Sequence, residues 1–135
     1  MDCIFCKIIN GEIPIKKIME TDKSLAFLDA FPLTKGHSLV IPKTYYEKMQ
    51  NMTPEDNADL FETVRQVTSK IDNIVGAELL AIHNGEESGQ EIPHVHVHII
   101  PRRKGDSAGP VHSMFKNRPT LSDQEFNELL KQIKD

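Results

Sequence analysis

Three histidines fall at alternate positions, His94, His96 and His98, within the run HVHVHII. Alternation is the period of a β-strand, where every second side chain shares a face. A strand over 94–100 sets three imidazoles in a row, about 6–7 Å apart, and turns Val95, Val97 and Ile99 toward the core. Imidazole changes charge near neutral pH, so such a row can supply a nucleophile, a proton carrier or a metal ligand. The chain has six histidines, and half of them within five positions is more than an ordinary polar strand face calls for. Zinc is one chemistry that fits, because His-x-His pairs on strands bind it, but no further ligand set or supporting carboxylate is evident nearby. Attack on an anionic phosphoryl group is the other, one neutral imidazole attacking while a protonated neighbour stabilises charge. The upstream loop NGEESGQEIP favours the second. Asn84, Gln90 and the backbone amides around Gly85 and Gly89 suit an uncharged cradle for phosphate oxygens.

The elements that must hold these groups are readable in outline. A short helix over residues 2–9 has Asp2 as its cap and Ile4, Phe5, Ile8 and Ile9 as its apolar face, and it ends at Asn10-Gly11. Strand-like runs follow at 15–20 and 24–29, joined by a polar turn, and a third lies at 37–41 between Gly36 and Pro42. A long helix begins after Thr53, with Pro54 at its first position and Asp56 at its third. Its apolar residues are Leu60, Phe61, Val64, Val67, Ile71, Ile74 and Val75, at three- and four-residue steps, and Gly76 ends it. Strands at 78–83 and 94–100 come next. A last helix starts at Ser122, with Glu125 completing a capping box and Phe126, Leu129, Leu130 and Ile133 as a buried stripe. Helix, strands, long helix, strands, helix with hairpin-like links make an α+β chain with an antiparallel sheet.

Composition narrows the function. The length, 135 residues, suits one domain able to bury a core. A net charge of −4 argues against binding a nucleic acid polymer, which needs a basic face. The absence of tryptophan and an aromatic content of 6% argue against base-stacking platforms for single strands. No apolar run approaches the roughly 20 residues that span a bilayer, so no membrane partner is expected. The N-terminal run MDCIFCKIING is not a secretory signal. Cys3 and Cys6 would close too short a loop to staple the fold, and a reducing cytoplasm is the expected compartment.

The run HVHVHII also fits the His-φ-His-φ-His-φ-φ pattern of the histidine-triad (HIT) superfamily. CIFCKIINGEIP, LAFLDAFPLTKGHSLVIPK, NGEESGQ and IIPRRKGD resemble the other blocks of that family, in the same order, over about residues 2–106. The chain is most similar to the prokaryotic purine-nucleoside phosphoramidases and dinucleoside-polyphosphate hydrolases. The resemblance implies a HIT-like fold, an antiparallel sheet of about five strands with one long helix and short terminal helices, in a homodimer. It implies that His96 attacks the α-phosphate of a purine nucleotide conjugate and forms a covalent nucleotidyl-histidine, from which water releases the nucleoside monophosphate. His98 would bond phosphate oxygens and help the leaving group. The His94 carbonyl would orient His96, and His37 would support the triad. Asn84, Gly89 and Gln90 would lie along the phosphate, Asp29 would accept from ribose hydroxyls, and Ile4, Phe5, Ile8, Leu28 and Ala30 would form the base slot. No cofactor is required for this chemistry. His83 and His112 stay outside the site, as surface or structural residues.

Two positions depart from the pattern. The structural zinc of many CxxC-bearing relatives would use Cys3, Cys6 and His94, but Tyr45 replaces the usual histidine, so the set lacks a ligand. Glu91 stands where a serine or threonine would donate toward the leaving group. An ionised carboxylate cannot donate and repels phosphate, so Glu91 either turns to solvent or favours a leaving group bearing a cation. Three other readings fit less of the chain: dinucleoside polyphosphate hydrolysis, nucleotide binding with vestigial activity, and a zinc-binding structural role.

Overall fold

The computed structural model describes residues 3–135. Five strands form one antiparallel sheet: β1 Lys17–Glu20, β2 Ser24–Leu28, β3 Ser38–Pro42, β4 Glu78–Ala81 and β5 Val97–Pro101, in the order β1-β2-β3-β5-β4. Helix α1 is Ile4–Ile9, α2 is Pro54–Val75 and α3 is Asp123–Lys134. The class is α+β, with the sheet, the long helix and the short terminal helices the sequence implies.

Strand alternation divides the sheet into two faces. Ala26, Val40, Val97 and Ile99 point one way and join Leu60, Val64 and Val67 of α2 in one buried cluster, which Val95 completes. Leu25, Phe27, Leu39 and Ile41 point the other way and pack with Cys3 and Phe5 at the N-terminus. The site lies on this second face, which α2 leaves uncovered.

Helix α2 starts and stops where its sequence signals lie. The Thr53 hydroxyl accepts from Asp56 N–H at 3.1 Å, and Gly76 takes a left-handed φ of 85°, which glycine adopts without a Cβ clash. Tyr46 and Asp56 tie the helix start to the preceding loop through a 2.5 Å hydrogen bond. Helix α1 is capped by Cys3, whose sulfur accepts from Cys6 N–H; the predicted cap, Asp2, lies outside the described residues.

Three expectations change. Strand β5 begins at Val97, so His94 and His96 lie in an extended approach to the sheet, where Val95 N–H bonds Tyr46 O instead of a neighbouring strand. The outer positions of the long-helix pattern stay exposed, Phe61 moderately and Ile74 at 82%. The stripe Phe126, Leu129, Leu130 and Ile133 of α3 is also exposed. The capping box at Ser122 and Glu125 forms as the sequence implies, but periodicity defines only a face, and no other described residue covers this one. Among the described residues no helix is long and apolar enough to cross a membrane.

This division has a measurable consequence. Leu60→Ala should cost about 2–4 kcal/mol of unfolding free energy, while Leu130→Ala should cost under about 0.5 kcal/mol. Urea titrations at concentrations dilute enough to exclude association check both values.

Candidate active site

Sheet register assembles the site. Leu39 of β3 pairs with His98 of β5, Phe27 of β2 pairs with Leu39, and Ala81 of β4 pairs with His98. These side chains form one row on the open face. Two residues further along each strand, on the same face, stand Asp29, His37 and His83. His37 is thus diagonal to His98, and its Nε2 lies 2.9 Å from His98 Nδ1. Continuing the β4–β5 register brings His83 alongside His96, and the rings of His83 and His98 meet edge to face with centroids 5.3 Å apart. Phe5 of α1 caps the group, its ring 5.1 Å from His96 and 5.6 Å from His94.

The backbone fixes the protonation pattern of these rings. His96 Nδ1 lies 2.7 Å from His94 O. A carbonyl only accepts, so His96 Nδ1 carries the proton and Nε2 keeps its lone pair. Leu33 N–H donates to His37 Nδ1 at 3.0 Å, so the His37 proton sits on Nε2 and is donated to His98 Nδ1. The proton of neutral His98 is thereby placed on Nε2, a buried atom with no partner among the described residues. A bare lone pair on His96 and a bare N–H on His98 therefore stand side by side, on rings 5.0 Å apart. Burial lowers the pKa of His37, His94 and His96. It pushes His98 down to about 4, helped by the neighbouring imidazoles. The expected protonated neighbour is therefore replaced by a neutral imidazole acting as a donor.

Both rings line a cleft of about 410 Å³, in the range of small-molecule sites. Ile4, Phe5, Ile8, Phe27 and Leu39 line it with apolar surface, and Asp29, Ala30, His37, His83, Gly89, Glu91, His96 and His98 line it as well. Asp29 is held by Phe31 N–H at 2.9 Å on Oδ1, and its Oδ2 lies 3.7 Å from His37 Nε2.

Four expected members are placed differently. Leu28 points to the opposite face from Phe27 and Asp29, and it is exposed. Phe27 and Leu39 take its place in the apolar wall. Asn84 accepts from Met49 N–H and donates to Gln50, while Gln90 accepts from Gly85 N–H and donates to Glu47 O. Both amides are spent on closing the loop, and neither lines the cleft. The backbone cradle is spent too: the N–H groups of Gly85, Ser88, Gly89 and Gln90 bond within the loop. His94 lies behind the cleft, fully buried, and only its carbonyl acts on the site.

The sequence reading missed His83. The ring makes no hydrogen bond with a described residue and packs against Gly89, where a Cβ would sit 3.2 Å from the ring. The signal was its place at the end of the predicted strand 78–83, but only the register with β5 turns it toward His96. His112 is exposed and away from the cleft.

The three zinc-type donors converge on one point. His94 Nε2 donates to Pro42 O at 2.9 Å, which leaves its Nδ1 lone pair facing Cys3 Sγ at 3.5 Å and Cys6 Sγ at 3.8 Å. Tetrahedral zinc has S···N edges of about 3.6 Å, so Cys3, Cys6 and His94 fit three corners and would hold the ion. The Tyr45 ring lies 5.5 Å from that of His94, edge to face. Asp29, His37 and His98 also cluster, but the His37 Nε2 proton and its bond to His98 leave no free lone pair there for a metal.

The family model described as the HIT domain matches residues 10–105. An adenosine 5′-monophosphoramidase of Schizosaccharomyces pombe is 47% identical over 104 residues, covering 76% of this chain and 75% of its own. An adenylylsulfatase of Arabidopsis thaliana is 38% identical over 131 residues, covering 96% of this chain and 66% of its own. The crystal structure of a HIT-family member from Bacillus subtilis superposes with a TM-score of 0.88 at 38% identity, covering 99% of this chain and 96% of that one.

Two measurements test this geometry. Tyr45→His supplies the fourth zinc corner and should raise zinc affinity at least about tenfold, read by competition with a chromophoric chelator. The second concerns His98. Its proton is taken up near 6.5 in an unfolded chain and near 4 in the folded one, so between those values the unfolded state binds more protons. Stability should be full above pH 6.5 and should fall toward pH 4. The urea midpoint should drop across that window, and by less in His98→Gln.

Proposed function

Because this chain belongs to the HIT domain family, we propose that it is a nucleotide hydrolase of the phosphoramidase kind, acting at the α-phosphorus of a purine nucleotide conjugate. The observation that carries this reading is the tautomer pattern, with the His96 lone pair beside the unpaired His98 N–H on one cleft wall. The apolar end of the cleft suits a purine base, and Asp29 suits the ribose hydroxyls. The two relatives named above share an adenylyl group and differ in what leaves it, an amine or a sulfate, which supports a common nucleotide end.

In this mechanism His96 Nε2 forms a bond to phosphorus as the bond to the leaving group breaks. The ring becomes cationic, and the His94 carbonyl stabilises it through the Nδ1 proton. The leaving atom departs with the bonding pair, hydrogen-bonded by the His98 Nε2–H, and takes its proton from solvent water. Water then attacks phosphorus from the vacated side, releases a proton to solvent and frees neutral His96 and a nucleoside monophosphate. No lysine or arginine lines the cleft, which counts against the long polyanionic leaving group of a dinucleoside polyphosphate. A zinc ion held by Cys3, Cys6 and His94 would brace the His94 backbone from behind.

His96→Ala should abolish turnover of an adenosine 5′-phosphoramidate, a loss of at least about a thousandfold, while AMP still binds within several-fold by calorimetry. Quenching the wild-type protein during turnover in alkaline denaturant, where a P–N bond to imidazole survives, should trap an adenylylated chain by intact-mass spectrometry. Turnover retained in the variant would overturn the covalent route.

A further inference from the structure

The charge balance of the cleft is unusual for a site that takes a phosphate. Every acidic or basic side chain lining it, histidines apart, is a carboxylate: Asp29 and Glu91. Asp29 is engaged, with the Phe31 N–H on one oxygen and His37 beside the other. Glu91 is not, and it has no hydrogen bond or salt bridge with any described residue. It is near enough to act electrostatically on His96, favouring positive charge there. Glu91 lines the cleft and at the same time stays exposed to solvent, at its open rim. An unpaired carboxylate at the rim of the cleft repels the substrate's own anion, and a cation carried by the substrate relieves that repulsion.

The position of Glu91 says which part of the substrate bears the cation. Most of the apolar lining comes from α1, β2, β3 and the β2–β3 connection, and with Asp29 it suits the nucleoside end. The loop between β4 and β5 supplies the other end, with Gly89, Glu91 and Ile92. A group leaving phosphorus away from the nucleoside extends along this loop.

We propose that Glu91 selects the leaving group: the cleft prefers nucleoside phosphoramidates whose departing amine carries a second, cationic ammonium group, and Glu91 holds that group. This rests on the hydrolase reading above and deepens it. In the reaction the P–N bond breaks, and the amine nitrogen leaves with the bonding pair, hydrogen-bonded by His98, and takes its proton from solvent water. Water supplies the new oxygen on phosphorus, and the second ammonium passes through unchanged. Glu91 is a specificity residue that touches the substrate and moves no proton.

The test compares two adenosine 5′-phosphoramidates of equal chain length, one made from an n-alkylamine and one from the diaminoalkane that replaces its terminal methyl by ammonium. Wild-type kcat/KM should favour the cationic substrate by about fivefold or more at low salt, and the preference should shrink as salt is added. In Glu91→Gln the ratio should fall to near one, and in Glu91→Lys it should invert. Equal wild-type rates, or a preference that survives in Glu91→Gln, would overturn the proposal. Absence of turnover with both substrates would instead sink the hydrolase reading. Calorimetric binding of the corresponding unreactive adenosine 5′-phosphate alkyl esters then decides on Glu91, since the same Glu91-dependent preference supports the selector and equal affinities refute it.

Discussion

The interaction on which the site depends is a hydrogen bond from an imidazole to its own backbone. His96 Nδ1 donates to the carbonyl of His94 two residues earlier, at 2.7 Å. A neutral imidazole has one proton for two nitrogens, so satisfying one nitrogen decides the other. The carbonyl cannot donate, and the nucleophilic lone pair must therefore face the cleft. The same logic acts through Leu33, His37 and His98, where a backbone N–H at one end of the relay leaves a bare N–H at the other. A third backbone group, Pro42 O, turns the His94 lone pair toward the cysteines. Three main-chain groups thus assign three rings different tasks.

Burial makes these assignments durable. Desolvation disfavours imidazolium at His37, His94, His96 and His98, so each ring keeps one proton and one lone pair at neutral pH. Phe5 and the apolar cluster around Phe27 and Leu39 supply that burial, and Phe5 belongs to the helix that also carries Cys6. The cysteine corner, the base slot and the reacting rings therefore share one packing unit. A change in α1 should be felt in all three.

Much of this was legible in the chain. The long helix declared its cap, its first proline and its terminal glycine within a few residues of where they act, because capping is local chemistry. The alternation at 94–100 likewise separated Val95, Val97 and Ile99 from the histidines, since strand period needs no knowledge of partners. The site histidines His37, His96 and His98, with Asp29 and the apolar residues of α1, come together as the motifs implied. The amides of Asn84 and Gln90 did not, because a side chain that can hold a ligand can equally close its own loop. That competition is settled by distances to Met49, Gln50, Gly85 and Glu47, which no local pattern encodes.

Residue types and spacing, by themselves, determined the fold class, the helix limits, the two-sidedness of the histidine strand and the kind of chemistry on offer. Those properties depend on backbone period, caps and side-chain chemistry within a few residues. The tertiary structure decided which of those groups meet. Register between β4 and β5 brought His83 to the cleft, alternation removed Leu28 from it, and the loop's fold set Glu91 at its solvent-exposed rim. It also left the α3 stripe uncovered by its own chain. Each of these turns on contacts between segments far apart in sequence, where a shift of one residue reverses a side chain's face.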